Sequence, residues 1–129
     1  MRIVPFEPRH ADAWRTLNEA WIPRHFAIEP KDRLVLDDPA GQILAKGGRI
    51  FMAEQGGGTV GCVAMIAMKD GGFEVAKMTV AEAARGTGLG RLLMQACLDE
   101  AARAGAPRLY LESNSSLAPA LGLYRAMGF

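Results

Sequence analysis

The chain has 129 residues, the size of one folded domain. Half of the residues are hydrophobic and 22% are charged, so a core can form and disorder of the whole chain is excluded. A net charge of +1 provides no overall field that would attract nucleic acid or an anionic membrane. No apolar run reaches the roughly 18 residues of a membrane span, and no targeting pattern opens the sequence. We expect a cytoplasmic protein with one domain over residues 1–129.

Cysteine and histidine spacing argues against a metal site and against a nucleophilic cysteine. Cys62 lies in an apolar run and Cys97 on the apolar side of a predicted helix, so both are expected to be small buried residues. His10 and His25 are isolated in the sequence, so they lack the paired spacing of zinc ligands. Neither histidine pairs in the sequence with a cysteine that it could activate as a nucleophile. We therefore expect no metal cofactor.

The first part of the chain predicts one strand and then helices. Residues 1–6 are apolar enough for a strand, and residues 10–21 carry apolar side chains at helical spacing. Two shorter helical pieces are expected at residues 29–36 and 40–45, before a Gly-Gly pair ends the helical region.

The remainder predicts a meander of three strands, followed by a helix, a strand and a helix. Apolar residues alternate over residues 49–55, 59–68 and 73–80, and short Gly-rich turns separate these strands. Helices are expected at residues 88–104 and 117–127, with a strand at 108–112. A strand–helix–strand unit requires a crossover, so at least one parallel pair joins the antiparallel strands. The predicted fold class is α/β (α+β), a mixed, mainly antiparallel sheet flanked by helices.

A glycine-rich segment links the third meander strand to the long helix. Its residues are Arg85, Gly86, Thr87, Gly88, Leu89 and Gly90, and Arg91 follows. Glycines allow close backbone approach, and the free N–H groups and dipole of a helix start attract a phosphate or pyrophosphate. Arg85 and Arg91 add positive charge. The alternative is a glycine-rich helix start with a solvated arginine.

Two common phosphate-binding motifs are excluded. A P-loop requires Lys-Ser/Thr after its last glycine, whereas Gly90 is followed by Arg91 and Leu92. The dinucleotide fingerprint places its third glycine three positions after the second and opens a βαβ unit, whereas Gly88 and Gly90 are two positions apart and follow a meander.

The glycine-rich segment resembles the R/Q-x-x-G-x-G/A signature of the GNAT family of N-acetyltransferases. The final residues, Leu-Tyr-Arg-Ala-Met-Gly-Phe at 123–129, are similar to the L-Y-x-x-x-G-F ending of that family, and the order of elements matches. The resemblance covers residues 1–129 and is strongest from Phe73 onward. It implies a GNAT-like acyl-CoA N-acyltransferase fold, and an enzyme that moves an acetyl group from acetyl-CoA to an amine.

The resemblance also implies where acetyl-CoA binds. Loop amides would hold the pyrophosphate, and backbone groups at the end of the third meander strand would hold the pantetheine arm. Asn114 would hold the cofactor arm or cap the final helix. The implied cofactor-binding residues are Met78, Thr79, Val80, Arg85, Gly86, Thr87, Gly88, Leu89, Gly90, Arg91 and Asn114.

Two catalytic residues are implied in the same way. Tyr124 matches the family tyrosine that protonates the departing thiolate, although it also shares a helical stripe with Leu117 and Leu121 and is compatible with a core position. Glu74 lies where some family members carry a glutamate that acts as the base; the alternative is an exposed strand glutamate or an ion-pair partner. The Val80 N–H would polarise the thioester carbonyl.

A strict period of two places Glu74 on the same strand face as Ala76, Met78 and Val80.

The resemblance implies an acceptor groove in the first helical region, for a small-molecule or peptide amine. Aromatic residues there could wall it and acidic residues could attract a cation, or they could be core aromatics and a solvated acidic stretch. These residues are Trp14, Trp21, His25, Phe26, Glu29, Asp32, Asp37 and Asp38.

Three further expectations concern the whole protein. A homodimer is possible because dimers are common in the family. The family's sheet usually gains one or two strands after the Gly-Phe ending, and residues 1–129 lack them, so we expect either that the natural chain continues beyond Phe129 or that a partner supplies the missing strand. A non-catalytic acetyl-CoA-binding or sensing module is the alternative function.

Overall fold

A computed structural model describes residues 2–20 and 30–111. Within these residues the chain forms five strands: β1 (Arg2–Pro5), β2 (Arg49–Gln55), β3 (Gly58–Ala67), β4 (Phe73–Val80) and β5 (Leu109–Leu111). The helices are α1 (Ala11–Glu19), α2 (Pro30–Asp37), α3 (Pro39–Gln42) and α4 (Leu89–Arg103), and single 3-10 turns lie at Pro8–His10, Leu44–Lys46 and Glu82–Ala84.

The five strands form one sheet in the order in which they occur along the chain. β1 to β4 pair antiparallel with their neighbours, and β5 pairs parallel with β4 after the chain crosses over through α4. The mixed sheet with one parallel pair is therefore confirmed. The helix expected at residues 117–127 lies outside the described residues.

Helices cover both faces of the sheet, and each face has its own core. Against α4 lies a cluster that includes Val63, Val75 and Leu93, and against α1 lies a cluster that includes Trp14 and Met52. Alternate residues of β1, β2 and β3 supply the two clusters, as the pleat requires.

Trp14 is fully buried in the second cluster, and its Nε1 donates a hydrogen bond of 3.1 Å to the Val35 carbonyl. The core interpretation is therefore confirmed for Trp14, and the expectation that it walls an acceptor groove is wrong. A large apolar ring with one polar atom is stabilised by burial when that atom finds an acceptor, as it does here on α2.

α4 buries one side against the sheet. Its buried residues are Leu89, Leu93, Met94, Cys97, Glu100 and Ala101, whereas Leu92 is 46% exposed. Leu92 lies one position before Leu93, and consecutive residues are rotated around the helix axis, so the Leu92 side chain lies beside the contact between α4 and the sheet rather than within it.

β4 contains a bulge that the sequence interpretation did not include. Cys62 of β3 pairs with Thr79, whereas Ala64 pairs with Ala76, so β4 carries one more residue than β3 across this interval. Lys77 lies in the bulge with φ of +56°, an unusual value for a residue with a side chain.

After the bulge, the side chains of the last β4 residues lie on the opposite face of the sheet from the one that regular alternation predicts. Glu74 pairs with Ile66, on the α1 side of the sheet. Met78 and Val80 instead pack in the cluster against α4. The expectation that Glu74 shares a face with Met78 and Val80 is therefore wrong, because the extra residue shifts the side-chain alternation by one.

Candidate functional site

The loop between β4 and α4 presents an open backbone surface. Gly86 and Gly88 have φ of +79° and +82°, values that favour glycine, and a Cβ built on either meets no atom within 4 Å among the described residues. Before them the chain makes a single 3-10 turn, and the Thr87 hydroxyl donates to the Ala84 carbonyl at 2.5 Å. The glycines therefore serve backbone conformation and leave space in front of the helix.

α4 begins directly after this loop, with Gly88 as its N-cap. The Leu92 N–H bonds to the Gly88 carbonyl at 3.2 Å, so the N–H groups of Leu89, Gly90 and Arg91 precede the first bond of the helical ladder. Arg91 is exposed beside them, whereas the Leu89 side chain is buried. This helix start carries partial positive charge and suits an anionic phosphate group.

Hydrogen-bond directions along β4 show which edge its backbone groups face. The Phe73 N–H donates a hydrogen bond to the carbonyl of Arg108, the residue before β5, and the Ala81 N–H donates to the carbonyl of Val60 in β3. Successive N–H groups of a strand point to opposite edges, so the Val80 N–H points away from β3, toward the β5 side. Thr79, by the same alternation, turns its N–H toward β3.

The described pairing of β4 with β5 is short. Phe73–Val75 pairs with Leu109–Leu111, and the continuation of the chain after Leu111 lies outside the described residues. Val80 is five residues beyond the last described β4–β5 pair. Its N–H thus lies on the same edge as β5, at the end of β4 that adjoins the glycine-rich loop.

Glu74 occupies the centre of three strands on the α1 side of the sheet. It is half-buried between Ile66 of β3 and Tyr110 of β5, its partners in register. The Tyr110 hydroxyl donates to the Asp70 carboxylate at 2.6 Å. That bond, with one from the Gly72 N–H, lowers the pKa of Asp70, so a second carboxylate near this edge stays ionised.

Several predicted site residues lie outside the described residues. They are Tyr124, Asn114, Trp21, His25, Phe26 and Glu29, and the side chain of Asp32 is also outside the description. The two remaining acidic residues of the predicted groove have partners nearby. Asp37 pairs with Arg33 at 3.0 Å, and Asp38 accepts the Gly41 N–H at the start of α3.

A buried polar group beneath the β4 bulge was missed by sequence reasoning. Cys62 and Thr79 are neighbours in register, with Sγ and Oγ1 3.1 Å apart, and Asn18 of α1 reaches the same sulfur. The sequence does hold a signal for the bulge. Large apolar residues fall on odd positions at Phe73 and Val75 and on even positions at Met78 and Val80, a change of phase within one strand.

Within residues 2–20 and 30–111 no group of three His, Cys, Asp or Glu side chains is placed to hold a metal ion. Nor does any helix in these two segments have the length and apolar character to cross a membrane.

Two curated proteins are similar to this chain over part of its length. An IAA acetyltransferase of Azospirillum brasilense is 41% identical over 82 residues, which are 63% of this chain and 54% of that protein. A streptothricin acetyltransferase of Streptomyces lavendulae is 48% identical over 50 residues, 39% of this chain and 26% of that protein. The aligned segments thus span about half of the first relative and about a quarter of the second.

The fold and the family are established by two further comparisons. A GNAT-family acetyltransferase structure from Staphylococcus aureus Mu50 superimposes with a TM-score of 0.87 at 17% identity, covering 98% of this chain and 81% of that one. At that identity the likeness establishes the fold. The sequence pattern of the acetyltransferase (GNAT) family matches residues 11–129, nearly the whole chain. The protein is therefore a member of the acetyltransferase (GNAT) family.

Proposed function

We propose that this protein transfers an acetyl group from acetyl-CoA to a primary amine of a small molecule. The observation that carries the proposal is the junction of β4 and α4. There the Val80 N–H faces the β5 edge at the end of β4, and an open glycine loop and a helix start without a side-chain cap follow it. Family membership supports the reaction class, and the geometry supports the site.

The residues of this junction fit coenzyme A. The space in front of Gly86 and Gly88 leaves room for the pyrophosphate, which the N–H groups at the start of α4 and Arg91 would hold. Backbone groups of Met78 and Val80 would hold the pantetheine arm in the manner of an added strand, with Asn114 as a further contact.

The chain's own groups would carry the chemistry as follows. Acetyl-CoA supplies the acetyl group as a thioester, whose C–S bond breaks as the amide C–N bond forms. Glu74 lies six residues before Val80 on β4, so it would take the proton from the attacking amine through a chain of water molecules. The Val80 N–H would donate to the thioester carbonyl oxygen, where negative charge grows. Tyr124 would protonate the departing sulfur, so the free thiol and the amide are the products.

For the acceptor, we favour a small cationic amine over a peptide. The two curated relatives are named for IAA and streptothricin. Glu74 is half-buried, and the hydroxyl of Tyr110, its neighbour in register, bonds to the Asp70 carboxylate; these two carboxylates would attract a protonated amine to this part of β4. A cytoplasmic location and a homodimer remain predictions, and sedimentation of the purified protein would test the second.

The experiment that tests this proposal combines binding and turnover. Acetyl-CoA should raise the melting temperature of the wild-type protein, and thiol release should follow with at least one amine of a small-molecule panel. Glu74→Gln should lower kcat about a hundredfold, a typical loss for a general base, with the Kd for CoA nearly unchanged. Asp99→Asn, at an exposed carboxylate of α4, is the control and should retain wild-type kcat.

The outcomes separate the candidate functions. Binding of acetyl-CoA without thiol release on any amine would favour a non-catalytic module, and no change in melting temperature would contradict both. Wild-type kcat in Glu74→Gln would remove Glu74 from the mechanism and leave the transfer reaction itself in place.

A further inference from the structure

A compact polar cluster is buried between α1, β3 and the β4 bulge. Cys62 is fully buried at its centre, and Thr79 and Asn18 are no more than 5% exposed. The Cys62 sulfur lies 3.1 Å from Thr79 Oγ1, 3.7 Å from Asn18 Nδ2 and 3.6 Å from the Lys77 carbonyl oxygen. The Asn18 amide also donates to the Trp14 carbonyl at 2.9 Å.

The hydrogen-bond roles in this cluster follow from protonation. Burial raises the pKa of the Cys62 thiol to about 11, so the thiol keeps its proton at neutral pH. The S–H group donates to the Lys77 carbonyl, and the Asn18 amide donates to the sulfur. Every group is paired, and the cluster joins the α1 helix to the backbone of the bulge.

The bulged residue needs such support. Lys77 has φ of +56°, in a region that residues with a side chain seldom occupy and that persists where surrounding contacts hold it. Its carbonyl bond to Cys62 is a contact of this kind, and Thr79, two residues later, is held by the same sulfur.

The bulge decides where the Val80 N–H points. In a regular strand, every second N–H group faces the same neighbouring strand. Because the Phe73 N–H faces β5, the Val80 N–H of a regular strand would face β3. The extra residue reverses this phase, as the bond from Ala81 to Val60 shows. Without the bulge, the N–H that we assign to the thioester carbonyl would be engaged in the sheet.

We propose that Cys62, together with Thr79 and Asn18, is a positioning residue for acetyl transfer. By holding the Lys77 carbonyl it maintains the β4 bulge and so keeps the Val80 N–H aimed at the thioester carbonyl oxygen. This inference rests on the proposed function, and it gives the buried thiol a role through hydrogen bonding rather than through reactivity.

The test compares the two buried cysteines. Cys62→Val removes the donor and adds a small amount of side-chain volume, an addition that Cys97→Val matches, so kcat should fall roughly tenfold or more in Cys62→Val, while the Kd for CoA changes less than about twofold because the α4 start is intact. Cys97→Val alters the apolar cluster against α4 and should retain kcat within about twofold. Cys62→Ser, whose hydroxyl can donate to the same carbonyl, should recover most of the activity.

A spectroscopic measurement accompanies the kinetics. In ¹H–¹⁵N spectra the Val80 amide signal should move in Cys62→Val and stay near its wild-type position in Cys97→Val. A folded Cys62→Val with wild-type kcat and an unmoved Val80 signal would overturn the inference. If Cys62→Val does not fold, Cys62→Ser and Thr79→Val decide: the inference requires a lower kcat in Thr79→Val, and wild-type kcat in Thr79→Val would overturn it.

Failure of the proposed function is a distinct result. Wild-type protein that releases no thiol with any amine would contradict the transfer reaction. The Val80 signal would still test whether Cys62 holds the bulge, because that measurement requires no turnover.

Discussion

Cys62 and Cys97 show how burial determines the chemistry available to a side chain. Both thiols are fully buried, and burial raises their pKa to about 11 and about 12. The thiolate is the nucleophilic form, and little of it exists at neutral pH in either position. Direct attack of the amine on the thioester, without an acyl-cysteine, agrees with these environments.

Tyr124 is the residue that we propose delivers a proton to the leaving thiolate. Tyr124→Phe should lower kcat at least tenfold and leave the affinity for acetyl-CoA nearly unchanged, because only the proton donor is removed. Steady-state kinetics with a thiol-release assay, together with a binding titration, would measure both. Tyr110→Phe is the matched control; it removes the bond to Asp70 and should reduce stability with little effect on kcat. Unchanged kcat in Tyr124→Phe would assign that tyrosine to packing.

At the scale of elements, α4 shows how one helix serves both the core and the site. Its buried face packs so closely on β3 that a Cβ at Gly61 would lie 3.0 Å from Leu89 Cδ2. Its first turn at the same time leaves N–H groups outside the helical ladder. The strand–loop–helix junction therefore gives the proposed anion site a fixed position at the end of β4.

Gly88 and Gly105 lie at opposite ends of α4, so substitutions there can separate the role of α4 in stability from its proposed role in CoA binding. Both have positive φ, and a Cβ at either meets nothing within 4 Å among the described residues. Gly88→Ala and Gly105→Ala should each lower the free energy of unfolding by roughly 1–2 kcal/mol, the strain of a left-handed residue with a side chain. In a CoA titration only Gly88→Ala should weaken binding, about tenfold. Equal CoA affinity in the two variants would argue against the phosphate site at the start of α4.

Across the whole molecule, buried or half-buried carboxylates connect elements that are distant in sequence. Glu100 of α4 is 6% exposed and pairs with Arg49 of β2 at 3.4 Å. Glu54 of β2 accepts from Arg9 at 2.6 Å and from His10 at 3.0 Å. His10 accepts the Glu7 N–H at Nδ1, so its Nε2 carries the proton that is donated to Glu54.

The stability of the fold should therefore depend on the ionisation of Glu54. Hydrogen bonds from Arg9 and then His10 lower the pKa of Glu54 from 4.5 to about 2. A lowered carboxyl pKa stabilises the folded state fully above the unfolded value, and this contribution is lost as pH falls from about 4.5 toward 2. The thermal melts of wild type and Glu54→Gln should differ at pH 7, and the difference should shrink as pH falls below about 4.5 and be smallest at about pH 2. Asp12→Asn, at an exposed pair with Arg15, should change the pH 7 melt less; a constant gap for Glu54→Gln would contradict the assignment.

The sequence by itself determined the strands, the long helix, the crossover and the glycine-rich loop. These depend on local periodicity and on residues with special backbone freedom, such as Gly86 and Gly88. The family resemblance likewise came from contiguous motifs, and the match over residues 11–129 confirms it.

Only the tertiary structure decided how β4 presents its backbone. The bulge at Lys77 depends on pairing with β3 and on Cys62 and Asn18, which lie 15 and 59 positions away in the numbering. Strict alternation put Glu74 on the same face as Met78 and Val80, and the bulge separated them. Local sequence patterns report on neighbours along the chain, whereas the phase of a strand is determined by the strand beside it. The candidate catalytic edge of this protein therefore follows from a register shift between β3 and β4.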